Sequence, residues 1–265
     1  MRVATDVGGT FTDLVCIDDE GIRVSKSDST PPNFEQGVLD CVGLSNLNVK
    51  DFESFAHGTT VVINALLSRK GAKTALITTR GFRDVLEIAR GNRPDLFNIA
   101  FKKPEPFVPR HLRYEISERL DCRGGIVADV ALSELDEIVQ CMQHENVEAI
   151  AICLLHSYVN PIHERKIKER IDKLWPEVAV IASHEVCREW REYERTSTAV
   201  LSAYVLPTTY RYLSDLEGRM KEKGLKPRPV IMQSNGGIGT VQSTLSDPIT
   251  LVESGPASGM LGAAA

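Results

Sequence analysis

The chain of 265 residues lacks any apolar run approaching the roughly 20 residues of a membrane-spanning helix, so no such span is expected. It also lacks an excess of basic charge. Lys and Arg number 31 against 36 Asp and Glu, a formal net charge of -5, and no basic stripe is interleaved with aromatics. Nucleic acid is therefore not an expected partner. The six cysteines, Cys16, Cys41, Cys122, Cys141, Cys153 and Cys187, form no close pair, which favours reduced core thiols over a zinc site or a disulfide framework. No internal repeat and no low-complexity linker occur. The N-terminus carries strand-forming residues in place of a signal peptide, which makes the cytoplasm the expected location.

What is present is a globular composition, 42% hydrophobic and 25% charged, enough to bury one large or two modest cores. Segments 2–5, 14–17 and 22–27 read as strands, the last following the turn at 18–21, and predict an antiparallel meander. Phe34, Val38, Cys41 and Val42 recur at helical spacing after Pro31 and Pro32. A strand through Phe55 and Ala56 should lead to His57, followed by a helix over 59–69, a strand over 73–78 and a helix over 81–89. Four prolines between 91 and 109 predict an ordered surface loop. Beyond it, helix (132–142), strand (148–154), helix (162–175) and strand (178–182) alternate, which indicates an α/β layer architecture. Pro207 should divide two further helices, with Trp190 and Tyr193 facing inward on the first. A strand over 229–233, a turn over 234–237 and a small-residue helix after Pro256 complete the pattern.

The most informative segment is DVGGTFTD at 6–13, a glycine turn between two short strands. Gly8 and Gly9 have no side chains to hold an anion away from their N–H groups, and Thr10 and Thr12 add hydroxyl donors. Asp6, at a strand end, suits the Mg²⁺ that accompanies a polyphosphate, usually through water. The alternative is a plain hairpin turn with solvated acids.

Further motifs follow in order: HGTT at 57–60 with Asn64 and Leu66, TTRGFRD at 78–84, GNRPD at 91–95, CLLHSYVNPIHE at 153–164, EYERTST at 192–198, QSNGG at 233–237 and ESGPASG at 253–259. Together with the glycine turn, this set resembles the hydantoinase A / 5-oxoprolinase family over essentially the whole chain. The resemblance implies one half of an actin-like, ribonuclease H-like ATPase carrying an inserted α/β region. Residues 1–185 would be the family's N-terminal region with the first phosphate loop, and 186–265 the start of its hydantoinase A domain. The second phosphate loop and adenosine region of the family would follow residue 265, so the chain is expected to be an N-terminal portion.

The implied activity is ATP-dependent opening of a cyclic amide such as hydantoin, N-methylhydantoin or 5-oxoproline, with ATP and Mg²⁺ as cofactors. Alternatives are a subunit of an ATP-dependent acetone or acetophenone carboxylase, and a non-catalytic nucleotide-binding or assembly module. A hydantoinase B-like partner subunit or a homo-oligomer is expected. A sugar or carboxylate kinase would share the first loop without explaining HGTT or QSNGG.

The expected site residues are taken on these terms. Asp6 and Glu253 are the expected catalytic and Mg²⁺-facing acids, Glu253 being alternatively a helix N-terminal acid. Gly8, Gly9, Thr10, Thr12, Gly236 and Gly237 are expected at the nucleotide phosphates. His57, Thr59, Thr60, Arg90, Asn92, Ser234 and Asn235 are expected at the substrate, and Arg93 belongs to the same loop. The bland readings are a helix cap with a packed histidine at 57–60, solvated loop charges at 90–93 and a tight turn at 234–237. His156, His163 and Glu164 suggest a metal, yet Asn160 and Pro161 interrupt any shared helical face, so structural roles are preferred. The mixed charges from Arg188 to Arg195 read as a salt-bridged helix surface, with a minority reading that places Glu192 or Arg195 at a cleft.

Overall fold

A computed structural model of the chain describes residues 1–92 and 95–264, so Arg93 lies outside the described residues. Two compact units are formed, one from 1–70 with 208–265 and the other from 71–207. The regions 1–185 and 186–265 are divisions of sequence, and the compact units cut the chain elsewhere.

The first unit begins with β1 (Arg2–Val7), β2 (Phe11–Asp18), β3 (Gly21–Asp28), α1 (Phe34–Leu44), β4 (Ser54–Thr59) and α2 (Val61–Leu67). The second contains β5 (Thr74–Thr79), α3 (Val85–Ile88), β6 (Arg113–Ile116), β7 (Arg119–Leu120), β8 (Ile126–Ala128), α4 (Leu132–His144), β9 (Ala149–Cys153), α5 (Ile162–Leu174), β10 (Ala179–Ala182) and α6 (Ser183–Val186). The long helix α7 (Glu192–Glu222) ends in the first unit. That unit is completed by β11 (Val230–Met232), β12 (Ile238–Thr240), α8 (Val241–Ser246) and α9 (Ser254–Ala264).

In the first unit the strand order is β12-β11-β4-β1-β2-β3. The first three strands form the predicted antiparallel meander, while β4 and β11 run parallel to β1. This is the mixed α/β, ribonuclease H-like arrangement expected of an actin-like half. Side-chain alternation decides which face does what. Val3, Thr5 and Val7 of β1, with Thr12, Leu14 and Cys16 of β2, are buried, and the Cys41 thiol of α1 donates to the Thr12 carbonyl at 3.0 Å on that face. Asp6 therefore points to the opposite, open face.

The second unit has an all-parallel sheet, β10-β9-β5-β6, whose two central strands are buried on both faces, as in a doubly covered parallel sheet. All six residues of β5 and all five of β9 are buried. Strand β6 and the β7–β8 ribbon were not foreseen from the sequence, and the helix expected over 81–89 shrinks to α3.

Two further expectations are corrected. Helix α7 runs unbroken through Pro207. Proline forfeits one backbone bond, but buried Ala203, Val205 and Leu213 hold the helix in place, and the Tyr204 carbonyl accepts from the Ala72 N–H at 2.9 Å. The start of this helix is also inverted. Trp190 is 64% exposed while Arg195 is buried, its guanidinium donating to the Leu154 carbonyl at 2.6 Å and the Glu189 carbonyl at 2.9 Å. Of the cysteines, Cys16, Cys41 and Cys153 are buried and Cys122 and Cys141 are exposed.

Candidate functional site

The β1–β2 turn is closed by the Gly8 N–H, which donates to the Phe11 carbonyl at 2.9 Å. Ser29, just past β3, clamps it from the side. Its N–H donates to the Thr10 carbonyl and its hydroxyl to the Gly8 carbonyl, each at 2.8 Å. Among the described residues, the N–H groups of Gly9 and Thr10 make no hydrogen bond. The turn thus holds two neighbouring donors open in a fixed frame, the kind of arrangement that receives an anion.

Asp6 stands at the base of this turn, opposite Asp13 on β2 and Gly58 on β4. Asp13 pairs with Lys26 at 2.9 Å, whereas no donor reaches the Asp6 carboxylate among the described residues. Partial burial, and then the Asp13 charge, raise the Asp6 pKa above its ordinary value. Although its surface is open to water, protein mass rings the carboxylate closely. A Cβ on Gly58 would lie 2.8 Å from Asp6 Oδ1, and one on Gly255 would lie 3.1 and 3.2 Å from the two carboxylate oxygens. A side chain at either position would push the Asp6 carboxylate from where it stands.

Gly255 belongs to the first turn of α9, which is pinned to β4 by the Ser254 hydroxyl donating to the Thr59 carbonyl at 3.1 Å. Glu253 enters this helix with φ +60°, a left-handed conformation uncommon for a residue with a side chain, and its side chain is exposed. Thr60 closes the other flank, its N–H and hydroxyl both donating to the Val7 carbonyl at 2.8 and 3.1 Å. Asn64 donates to the Thr60 hydroxyl at 3.1 Å. Asp6, Gly8, Gly9, Thr10, Thr60 and the start of α9 are therefore brought together.

Other expected residues are used elsewhere. His57 is fully enclosed, because β-strand alternation turns it to the face opposite Gly58 and hence away from Asp6. Its Nδ1 is 2.7 Å from the Thr5 hydroxyl and its Nε2 2.5 Å from the Tyr212 hydroxyl. Burial lowers its pKa to about 3, so it is a neutral core group and not a surface contact for substrate. Burial likewise pushes the Tyr212 phenol above its ordinary range. Thr12 is buried too, its hydroxyl 3.2 Å from that of Ser29, and Thr59 accepts from the Val61 N–H at 3.1 Å.

The QSNGG segment is the β11–β12 hairpin. The Gly236 N–H donates to the Gln233 carbonyl at 2.9 Å and the Gly237 N–H to Asn235 Oδ1 at 2.7 Å, so neither is free for a phosphate. The Ser234 N–H is likewise used, on the Thr250 carbonyl at 2.7 Å. Arg90 and Asn92 belong to the second unit. There the Arg90 guanidinium forks onto the Glu194 carboxylate, with Nε 2.6 Å from Oε1, and Asn92 is exposed.

Sequence reasoning missed Ser29, Tyr212 and the cradle roles of Gly58 and Gly255. The two glycines were visible inside HGTT and ESGPASG, but only the register Asp6↔Gly58 and the docking of α9 reveal what they make room for.

Among the described residues no group of three or more His, Cys, Asp or Glu is arranged to hold a metal by itself. A lone carboxylate beside open amide donors fits a cation that arrives with a polyphosphate and keeps most of its water. No helix of the described residues is long and apolar enough to cross a membrane.

Comparison with known proteins extends this picture. Residues 2–175 match the family described as hydantoinase/oxoprolinase N-terminal region, and residues 195–265 match hydantoinase/oxoprolinase. An uncharacterized protein of Methanocaldococcus jannaschii, MJ0964, is 39% identical over 99% of this chain and 39% of its own length. Caprolactamase subunit alpha of Pseudomonas jessenii is 32% identical over 97% of this chain and 38% of its own. The solved nucleotide-free structure of acetone carboxylase, from work on ATP-dependent acetone carboxylation, superposes with a TM-score of 0.88 at 27% identity, covering 99% of this chain and 40% of that one. The chain thus spans about two fifths of the length of these relatives.

Proposed function

The chain belongs to the hydantoinase/oxoprolinase family, and on that premise we propose that its glycine turn binds Mg²⁺-ATP for phosphorylation of a cyclic-amide oxygen. The observation that carries this reading is the pairing of two open N–H donors, Gly9 and Thr10, with an unpaired carboxylate, Asp6, that Gly58 and Gly255 leave room for. A phosphate chain would lie on the turn. Asp6 would face the hydrated Mg²⁺, whose charge neutralises the transferred phosphoryl group. Glu253, brought to the same end of the sheet by α9, is the second acid proposed there.

The chemistry explains why ATP is joined to amide opening. Amide resonance makes a lactam carbonyl a poor electrophile, and transfer of the γ-phosphoryl group to its oxygen, with ADP leaving, removes that resonance. Water then adds to the activated carbon, the C–N bond breaks to leave an acyl phosphate, and a second water releases inorganic phosphate. Preorganised donors around the transferred group suffice, and no protein nucleophile is required. The name of the caprolactamase relative supports a lactam as the ring, and its designation as an alpha subunit supports a partner subunit here.

The likeness to acetone carboxylase favours a second reading, in which the same phosphorylation converts a ketone into an enol phosphate for carboxylation. The two differ in what stimulates ATP turnover in the longest available form of the protein, a cyclic amide in one case and a ketone with bicarbonate in the other. Nucleotide binding itself is tested by calorimetry of Mg²⁺-ATP on this chain and on Asp6→Asn. The substitution should weaken binding at least about tenfold while leaving the thermal midpoint no lower than that of the wild type, since it removes a charge whose ionisation costs stability. Equal affinity in the two proteins, or no binding by either, would remove the phosphate-turn assignment.

A further inference from the structure

A cavity of about 850 Å³ opens beside Gly9, on the side of the turn formed by α1, α2 and α7. Three chemistries meet in its lining. Lys70 and Arg211 supply positive charge, Asp215 supplies negative charge, and Phe34 and Val61 contribute an apolar wall. Arg211 and Asp215 stand one helical turn apart on α7, and neither they nor Lys70 form an ion pair among the described residues. Nearby acids behave otherwise: Glu35, in the same lining, is buried and faces Arg219 at 3.3 Å. The cavity therefore presents charges of both signs that form no ion pair among the described residues, beside an apolar wall, at a size typical of small-molecule sites.

We infer that this cavity binds a zwitterion with an apolar spacer, an ω-amino carboxylate of the kind released when a cyclic amide is opened. Its carboxylate would meet Arg211 and Lys70, its ammonium would meet Asp215, and its methylenes would lie on Phe34 and Val61. An opened lactam carries both charges and the lactam ring carries neither, so for a lactam the lining selects product over substrate. A product held next to Gly9 would hinder reloading of the phosphate turn, which gives the cavity a role in product inhibition. That role rests on the proposed amide-opening reaction; zwitterion binding does not.

The test is calorimetric titration of this chain with 6-aminohexanoate, hexanoate and hexylamine, with Mg²⁺-ATP titrated in parallel. 6-Aminohexanoate should bind at least about tenfold more tightly than either singly charged analogue, since each charge-assisted contact is worth roughly that factor. Arg211→Gln should erase the preference over hexylamine and Asp215→Asn the preference over hexanoate, with Mg²⁺-ATP affinity unchanged in both variants. Equal affinity for the three probes, no binding of 6-aminohexanoate, or full binding by both variants would overturn the inference. Zwitterion binding without Mg²⁺-ATP binding would count against the phosphate-turn reading alone, and Mg²⁺-ATP binding without zwitterion binding against the cavity alone.

Discussion

The two compact units handle their carboxylates in opposite ways. In the first, Asp6 is open to water, lacks a donor and has a raised pKa. In the second, Glu164 is fully enclosed and saturated. Its Oε1 accepts from the Leu154 N–H at 2.9 Å and the Ser183 hydroxyl at 2.6 Å, and its Oε2 accepts from the His184 N–H at 3.0 Å and His184 Nδ1 at 2.7 Å. Glu118, also enclosed, accepts from the Thr79 hydroxyl and lies 2.7 Å from His163 Nδ1. The two enclosed acids of the second unit thus already have partners on both carboxylate oxygens. Such groups hold loops to strand ends and have nothing left to offer a ligand. The carboxylate with spare capacity is Asp6, and this is why Glu164, weighed in the sequence as a metal ligand with His156 and His163 and set aside there for a structural role, is a poorer guide to function than Asp6.

The largest expected effect follows directly. Glu164→Ala leaves four donors unanswered around an enclosed space and should cost the second unit about 3–5 kcal/mol, the scale for breaking a buried charged network. Urea unfolding of the wild type and variant measures it, and a loss below about 1 kcal/mol would erase the distinction between saturated and open acids. Burial by itself would raise the Glu164 pKa, but its hydrogen bonds outweigh burial and leave it below the ordinary value of 4.5. Its contribution is therefore present above the unfolded pKa and lost as pH falls through the lower, folded one. Asp6 has the opposite sign. Its raised folded pKa means that ionisation weakens the fold, so stability is gained as pH falls through that value, and a bound cation reverses the penalty.

A second effect comes from within the first unit, behind Asp6. His57 has a folded pKa of about 3 against an ordinary 6.5, so below pH 6.5 the unfolded chain takes up a proton that the native His57 refuses. Stability should fall by up to about 1.4 kcal/mol per pH unit between those values as pH drops. His57→Gln should flatten that slope between pH 6.5 and 5, measured as urea midpoints at each pH. An unchanged slope would mean that His57 is not the buried neutral group bridging Thr5 and Tyr212.

How far these contrasts could be read from sequence depends on range. The meander and the glycine turn were legible because alternation and turn chemistry lie within a few neighbouring residues, and Asp6 was legible with them. HGTT was not, since period-two alternation says that His57 and Gly58 face opposite ways without saying which face is inner. That is settled by Tyr212, far along the chain. QSNGG looked like a phosphate loop because its glycines match in type, yet the Asn235 side chain and the Gln233 carbonyl consume the donors. Pro207 and the Trp190–Arg195 inversion were missed for one reason: tertiary packing overrode a local preference, holding a helix through a proline and drawing a guanidinium inward to buried carbonyls.

The smallest expected change in stability is the sharpest test of the site. Gly58→Ala adds one methyl group on the strand next to β1, and that carbon would stand 2.8 Å from Asp6 Oδ1. The strand backbone tolerates alanine, and the carboxylate at an open face can swing aside, so the cost should stay near the low end of overpacking, about 1 kcal/mol. The displaced Asp6 would no longer hold its place at the end of β1, before the turn that carries the Gly9 and Thr10 N–H groups. Mg²⁺-ATP affinity should therefore fall about tenfold or more although no ligand-contacting group has been removed. The double variant Gly58→Ala with Asp6→Asn separates the possibilities, because two changes acting through one carboxylate are not additive. If the glycine matters only through Asp6, the double variant binds no worse than Asp6→Asn alone. Additive losses would mean that Gly58 keeps the nucleotide's own approach open, and the cradle would then belong to the phosphate and not to the acid.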